Sequence, residues 1–294
     1  MFAQLFANGL VTGSVIAIAA VGVSLVYGIL RLVNFAYGDF MAFGALVTYS
    51  FNGPLGLSLV TATLLGMAAT AVLSVALDAI LWRPLRARRA GFMSLFLASI
   101  GLALVLRQSL LLGYGPQPQT YRVDPYKVHV LGSVRLSQAQ FITILVAAGV
   151  IVALGLFLAR TPVGRTLRAL ADDRALAAIA GVNGRRMIAL TWVLSGALAG
   201  IAGVLAGLAQ TTFDPNFGFT LLLPIFAAVV LGGIGSAYGS LAGGLTLGLA
   251  MELSTWPSFF GGVDPVYKPV VAFVVLAAAL MVRPQGLFGK ARVV

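Results

Sequence analysis

The 294-residue sequence has no cysteine, one histidine and only eight acidic residues. Without cysteine there is no disulfide, no thiolate metal site and no thiol nucleophile. His129 sits alone in a polar loop, where a solvated side chain is expected and a metal centre is not. Charged residues make up 9% of the chain against 60% hydrophobic ones, and the mean hydropathy is +1.02. That balance excludes an ordinary soluble domain. Catalytic signatures are missing as well. No G-x-x-x-x-G-K-[ST] phosphate loop exists, because GLFGK at 286–290 lacks the first glycine and the spacing. There is no G-x-S-x-G, no H-E-x-x-H and no carboxylate pair beside a nucleophile. No catalytic residue is expected, and if ATP drives this protein its hydrolysis belongs to a separate chain.

What is present is apolar length. Runs long enough to cross a hydrocarbon layer of roughly 30 Å recur throughout, so the expected fold is an all-α polytopic membrane protein. The expected spans are 8–30, 39–51, 57–82, 94–113, 137–159, 188–209 and 269–282. Residues 221–256 hold either two short crossings broken at GGIGSAYG or one long crossing with a re-entrant piece, giving eight or nine spans. The first run is not read as a secretory signal, because no Lys or Arg precedes Arg31 and further spans follow.

The net charge of +11 is distributed unevenly. Four arginines fall in 83–89 and six in 160–186, and Arg283, Lys290 and Arg292 follow the last span. The other polar loops hold only Arg122, Lys127, Arg135 and Lys268, accompanied by Asp124, Asp214 and Asp264. This is the positive-inside asymmetry of a membrane protein, not a nucleic-acid-binding surface. It puts the basic loops and the C-terminus in the cytoplasm; with nine spans the N-terminus is external.

Glycine is abundant, with 35 residues. Gly196, Gly200, Gly203 and Gly207 recur at spacings of 4, 3 and 4, which puts them on one helical stripe suited to close packing. Gly9 with Gly13, and Gly244 with Gly248, repeat the spacing. Such smooth seams suit rigid packing and sliding contacts alike. Two polar breaks, NFAYGD at 34–39 and GGIGSAYG at 232–239, interrupt apolar regions, and irregular backbone at membrane depth must lie against protein or water. Both contain Ala-Tyr-Gly before an apolar helix, as an internal repeat would leave. Ionisable groups within spans are costly and call for a reason. Glu252 is expected to line a pathway or pair with Arg107. Asp78 suits an end-of-helix ion pair, and Asp39 suits a cap on the second helix or a place in the pathway.

The polar island TPVGRTLRALADDRALAAIAGVNGRRM at 161–187 separates two long apolar segments. Asp172 or Asp173 can cap a helix there and Gly181 can end it, leaving about two turns. A helix that short is marginal alone. Leu176, Ile179 and Ala180 give it an apolar face at i, i+3, i+4 spacing that asks for a partner. The island reads as a cytoplasmic docking site.

Several motifs, in this order, resemble the membrane permeases of branched-chain amino-acid ABC importers of the LivH type over nearly the whole length. They are GLVTGSVIAIAAVGVSLVYGILRLVNFAYGD, ALDAILWRPLR, ASIGLALVLRQ…GYGP, TPVGRTLRALADD, AAIAGVN…ALTWVLSGALAGIAGVLAG, VVLGGIGSAYGSLAGG and RPQGLFG. Arg107 departs from the pattern where a neutral polar residue is usual, and Asp78 where Glu is. The resemblance implies a single permease domain, 1–294, in the bacterial inner membrane. It would pair with a second permease, a related chain or a copy of itself. Two cytoplasmic ATPases would hydrolyse the ATP, this chain binding no cofactor, and a periplasmic binding protein would deliver cargo near the external segment 114–136. On that view Asp173, Leu176, Ala177, Ile179, Ala180, Gly181 and Asn183 belong to the coupling helix that the ATPases push. Asn34, Tyr37, Asp39, Gln108 and Glu252 are the expected pathway or gate residues. The cargo would be a branched-chain or related amino acid, with urea or short amides as the alternative for the same fold. An ion-coupled secondary transporter using Glu252 and Asp39 is the alternative of a different class.

Overall fold

The computed structural model describes residues 2–123, 128–131, 134–257, 262–283 and 285–288. Asp124, Lys127, Lys290, Arg292 and the side chain of His129 lie outside the described residues. Helices dominate: α1 (Phe2–Leu30), α2 (Tyr37–Asn52) and α3 (Leu59–Leu77). A π-helical turn, Asp78–Trp82, joins α3 to α4 (Arg83–Ala87) without a break, and α5 (Phe92–Tyr114) returns. A hairpin of β1 (Val128–Leu131) and antiparallel β2 (Val134–Ser137) follows, which the sequence reading left as loop. Then come α6 (Gln138–Arg160), α7 (Pro162–Asp172), α8 (Arg174–Ile179) and α9 (Gly184–Gln210). The chain ends with α10 (Phe217–Gly232), α11 (Ala237–Leu253), a short 3₁₀ turn and α12 (Lys268–Val282).

Among the described residues, six helical stretches are long and apolar enough to cross a membrane: Phe2–Leu30, Leu59–Ala87, Phe92–Tyr114, Gln138–Arg160, Gly184–Gln210 and Pro265–Val282. The protein is thus a multi-pass membrane protein. Helices α2, α10 and α11 have 16, 16 and 17 residues, about 24–26 Å at the α-helical rise. The stretch 221–256 is therefore two helices and not one long crossing. Gly233 (φ 101°) and Gly235 (φ 88°) make the break, because both adopt a left-handed backbone that a side chain disfavours.

Helix α1 is central: 89% of its most apolar window is buried, against 6% for α12. Lipid supplies no hydrophobic force between helices, so close backbone packing has to hold them. On α1, Gly9 and Gly13 meet α11 at Leu249 and at Gly244–Leu245, and a methyl on Gly248 would overlap the Gly13 backbone. On α9, Gly196 and Gly200 face α3 at Ala71 and Met67, Gly203 abuts the Met41 backbone of α2, and Gly207 meets Phe213 and Tyr121. Val270, Val274, Met281 and Val282 leave α12 an exposed apolar side.

The π turn has a visible consequence. Arg83 N–H donates to the Asp78 carbonyl five residues back, and the extra residue turns Trp82 into the interior. There its ring stacks on Trp192 of α9, with centroids 6.2 Å apart and planes 7° from parallel.

Candidate functional site

The chain leaves α1 at Arg31, whose left-handed backbone (φ 53°) ends the helix, and turns through Leu32–Ala36 into α2. Asn34 is buried and accepts from the Ala36 amide at 3.1 Å, which closes the turn, while its Nδ2 has no hydrogen-bond partner. Tyr37 is fully buried and its hydroxyl donates to the Ser195 carbonyl of α9 at 3.3 Å. The Ser195 hydroxyl in turn donates to the Gly22 carbonyl of α1 at 2.9 Å. Asparagine and tyrosine thus knit the start of α2 to α1 and α9.

Asp39 does not cap α2. The cap position is Ala36, with no side-chain hydrogen bond, and Asp39 lies inside the first turn with its carboxylate on Arg107 of α5. Arg107 Nε donates to Oδ1 at 3.1 Å and Nη2 to Oδ2 at 3.5 Å. The guanidinium also lies over the Phe219 ring of α10, 4.1 Å from its centroid. Ion pair and stack join α2, α5 and α10. At the same level the Gly38 and Gly218 backbones touch so closely that a methyl on either would overlap the other.

The expected pairing of Glu252 with Arg107 does not occur. Glu252 of α11 accepts from Lys268 Nζ at 2.7 Å and from the Thr12 hydroxyl at 3.0 Å. Thr12 and Gly22 mark the levels of Glu252 and Tyr37 on α1, and ten residues separate them by about 15 Å. Lys268 at the start of α12 and Arg107 within α5 could each have met either carboxylate, and helix placement chose the pairing that sequence spacing did not. Gln108 is not brought to this cluster; it is exposed on α5 beside Leu104, Val105 and Leu112. The two Ala-Tyr-Gly triplets sit at opposite ends of α10. Gly38 meets its start at Gly218, and Gly239 meets its end at Gly232. Their tyrosines differ: Tyr37 is buried, whereas Tyr238 is exposed and donates to the Gly155 carbonyl at 3.1 Å.

Most of the basic residues collect at the end of the bundle where α1 finishes. The island folds as two helices, α7 and α8, where the sequence reading described one. Thr161 caps α7 by accepting from Gly164 N–H at 3.0 Å, Pro162 occupies its first position, and Leu167 and Leu170 turn inward. Asp173 caps α8, accepting from the Ala175 and Leu176 amides at 2.7 and 3.0 Å. Gly181, with φ 83°, turns the chain out of it. Ala177 is 5% exposed and seats α8 on the protein, while Leu176 and Ile179 are 65% and 84% exposed. Ala180 and Asn183 are exposed too, and Asn183 caps α9 through Arg186 N–H. Arg174 fastens α8 to α1 by donating to the Ile29 carbonyl. Burial lowers the pKa of that guanidinium, and the nearby Arg86 and Arg31 charges lower it further. Asp78 pairs with Arg86 at 2.6 Å, an ion pair at the helix end as its position suggested.

Lys268 and Arg174 are partners that sequence reasoning missed, while Arg107 was named there for the other carboxylate. Arg107 and Lys268 are largely buried cations that need an acceptor, and that requirement was the available signal. Among the described residues no group of three or more His, Cys, Asp or Glu side chains suits a metal ion.

The family described as branched-chain amino acid transport system permease component matches residues 5–280. The chain is 32% identical to the high-affinity branched-chain amino acid transport system permease protein BraD of Pseudomonas aeruginosa, over 99% of this chain and 97% of that protein. It is equally 32% identical, with the same coverage, to the permease protein LivH of Escherichia coli K12. A second permease protein of that strain, LivM, is 24% identical over 94% of this chain and 68% of its own length. No solved structure matches the chain significantly. A match across nearly every helix, together with a bundle of membrane-length apolar helices, assigns this chain to the branched-chain amino acid transport permease family.

Proposed function

We propose that this chain is the membrane-spanning subunit of a binding-protein-dependent ABC importer for branched-chain or related amino acids, working by ATP-driven alternating access. The observation that carries the reading is α8. It is a capped six-residue helix, held at its base by Ala177 and Arg174, that offers Leu176 and Ile179 to something outside the chain. So short a helix with so exposed an apolar face is built to be gripped. With no phosphate loop in the sequence, the partner that fits is a transport ATPase. The two relatives from one Escherichia coli strain, LivH and LivM, favour a related chain over a second copy as the permease partner. A periplasmic binding protein completes the assembly at the end bearing the hairpin.

Asn34, Tyr37 and Asp39, with Arg107, lie where α1, α2, α5, α9 and α10 meet, and we assign them to the moving gate. Glu252 sits at another level as a second lock, between α11 and α12. An ion-coupled carrier is the weaker reading. Its two candidate carboxylates are both held by fixed cations, so neither is free for a travelling ion.

Replacing Leu176 and Ile179 by Asp tests the proposal. Both are exposed, so the fold should survive, while the ATPase should no longer co-purify and uptake should stop. Retained ATPase binding together with retained uptake would sink it.

A further inference from the structure

At the basic end of the bundle, the end of α3, the π turn, α4 and the stretch from α7 to α9 border an open cavity of about 630 Å³. Arg83, Arg86, Arg174 and Arg185 line it, against one carboxylate, Asp78. Asp78 is already engaged by Arg86 Nη2 at 2.6 Å, and Arg86 Nη1 is buried without a hydrogen-bond partner. Arg83 and Arg185 enter no ion pair among the described residues. Burial first, and then the charges of Arg86 and Arg31, lower the pKa of Arg174. Four guanidiniums around a single carboxylate leave a surplus of positive charge in a partly sheltered space, which a bound anion would relieve.

The rest of the cavity is apolar: Val75 on α3, Ala79 in the π turn, Leu170 on α7, Val182, and Ile188 on α9. Close by, Val72 of α3, Ile80 of the π turn and Val193 of α9 are exposed. A free phosphate would use the arginines and leave the apolar floor empty. A phospholipid uses both, its phosphate among the guanidiniums and an acyl chain along the α3–α9 groove.

We propose that this cavity is a binding site for an anionic phospholipid, with Arg83, Arg86, Arg174 and Arg185 receiving the headgroup phosphate. The assignment is independent of the cargo and of the ATPase. Because Ala178 and Val182 also line the cavity, the bound lipid would brace α8 from behind.

The test is native mass spectrometry of the purified full-length protein, titrated with phosphatidylglycerol, phosphatidylcholine or inorganic phosphate. Phosphatidylglycerol should bind in preference to phosphatidylcholine and resist displacement by millimolar phosphate. Arg83 and Arg185 are exposed and outside the transport machinery, so the double variant R83Q/R185Q should fold. It should weaken phosphatidylglycerol binding about tenfold, as loss of two charge-assisted contacts implies. The variant R88Q/R89Q removes the same amount of charge from just beyond α4, outside the cavity, and should bind within about twofold of the parent, because exposed charges act weakly. Should the double variant fail to purify, R83Q and R185Q singly should each weaken binding about threefold. Equal binding of the two lipids, equal loss in both double variants, unaltered binding in the cavity variants, or displacement by phosphate would each overturn the proposal.

Discussion

Removing the Asp39 charge while keeping Arg107 strands a guanidinium that is only 13% exposed, between α5 and the Phe219 ring. An uncompensated charge in such a place costs about 3–5 kcal/mol, whereas removing both partners together costs far less. Asp39→Asn should therefore lower the thermal unfolding midpoint of the purified protein sharply, and adding Arg107→Met should restore most of the loss. A midpoint unmoved by Asp39→Asn would mean that water reaches the pair. The sequence displayed all the ionisable residues of this region but not their pairing. Arg107, Asp39, Glu252 and Lys268 lie on four helices far apart in the chain, and only packing decides which carboxylate meets which cation.

A short helix depends on its ends. In α8 the Asp173 carboxylate satisfies two otherwise orphaned amides, and six residues give few internal bonds to compensate for its loss. Asp173→Ala should destabilise α8 by about 1 kcal/mol, the usual value of such a cap. Global stability should hardly change, while amide exchange across Arg174–Ile179 should quicken and uptake should fall. Unchanged exchange would show that Arg174 and Ala177 hold the helix without its cap. The cap, the glycine exit and the apolar face of α8 were all legible in the sequence, because they are local. The neighbouring α7 was overlooked although its signals, Thr161, Pro162 and inward leucines, were just as local. Its arginines made the stretch read as a loop, when they are the solvated face of an amphipathic helix.

For the molecule as a whole, charge asymmetry makes a testable statement about sides. The absence of cysteine permits a clean experiment, since any introduced thiol is the only one. Gln117 lies in the exposed connection after α5, and Leu176 is on α8 at the arginine-rich end. Gln117→Cys should react with a membrane-impermeant thiol reagent in intact spheroplasts, and Leu176→Cys only after the membrane is opened. The reverse pattern would invert the topology argued from the basic loops.

Composition, apolar run length and the clustering of arginines in two loops determined by themselves that this is a helical membrane protein and where a short capped helix with an exposed apolar face lies. Those properties depend on near neighbours in the chain and on transfer to lipid, which a linear pattern records. Tertiary structure alone decided the partition of 221–256 into two short helices, the meeting of Gly38 with Gly218 and Gly239 with Gly232, and the ion pairs of Asp39 and Glu252. It alone gathered the four arginines of the cavity at the arginine-rich end, drawn from 83–86, 174 and 185. Such contacts join residues tens to hundreds of positions apart, and they exist only once the glycine seams have set how closely each helix approaches the next.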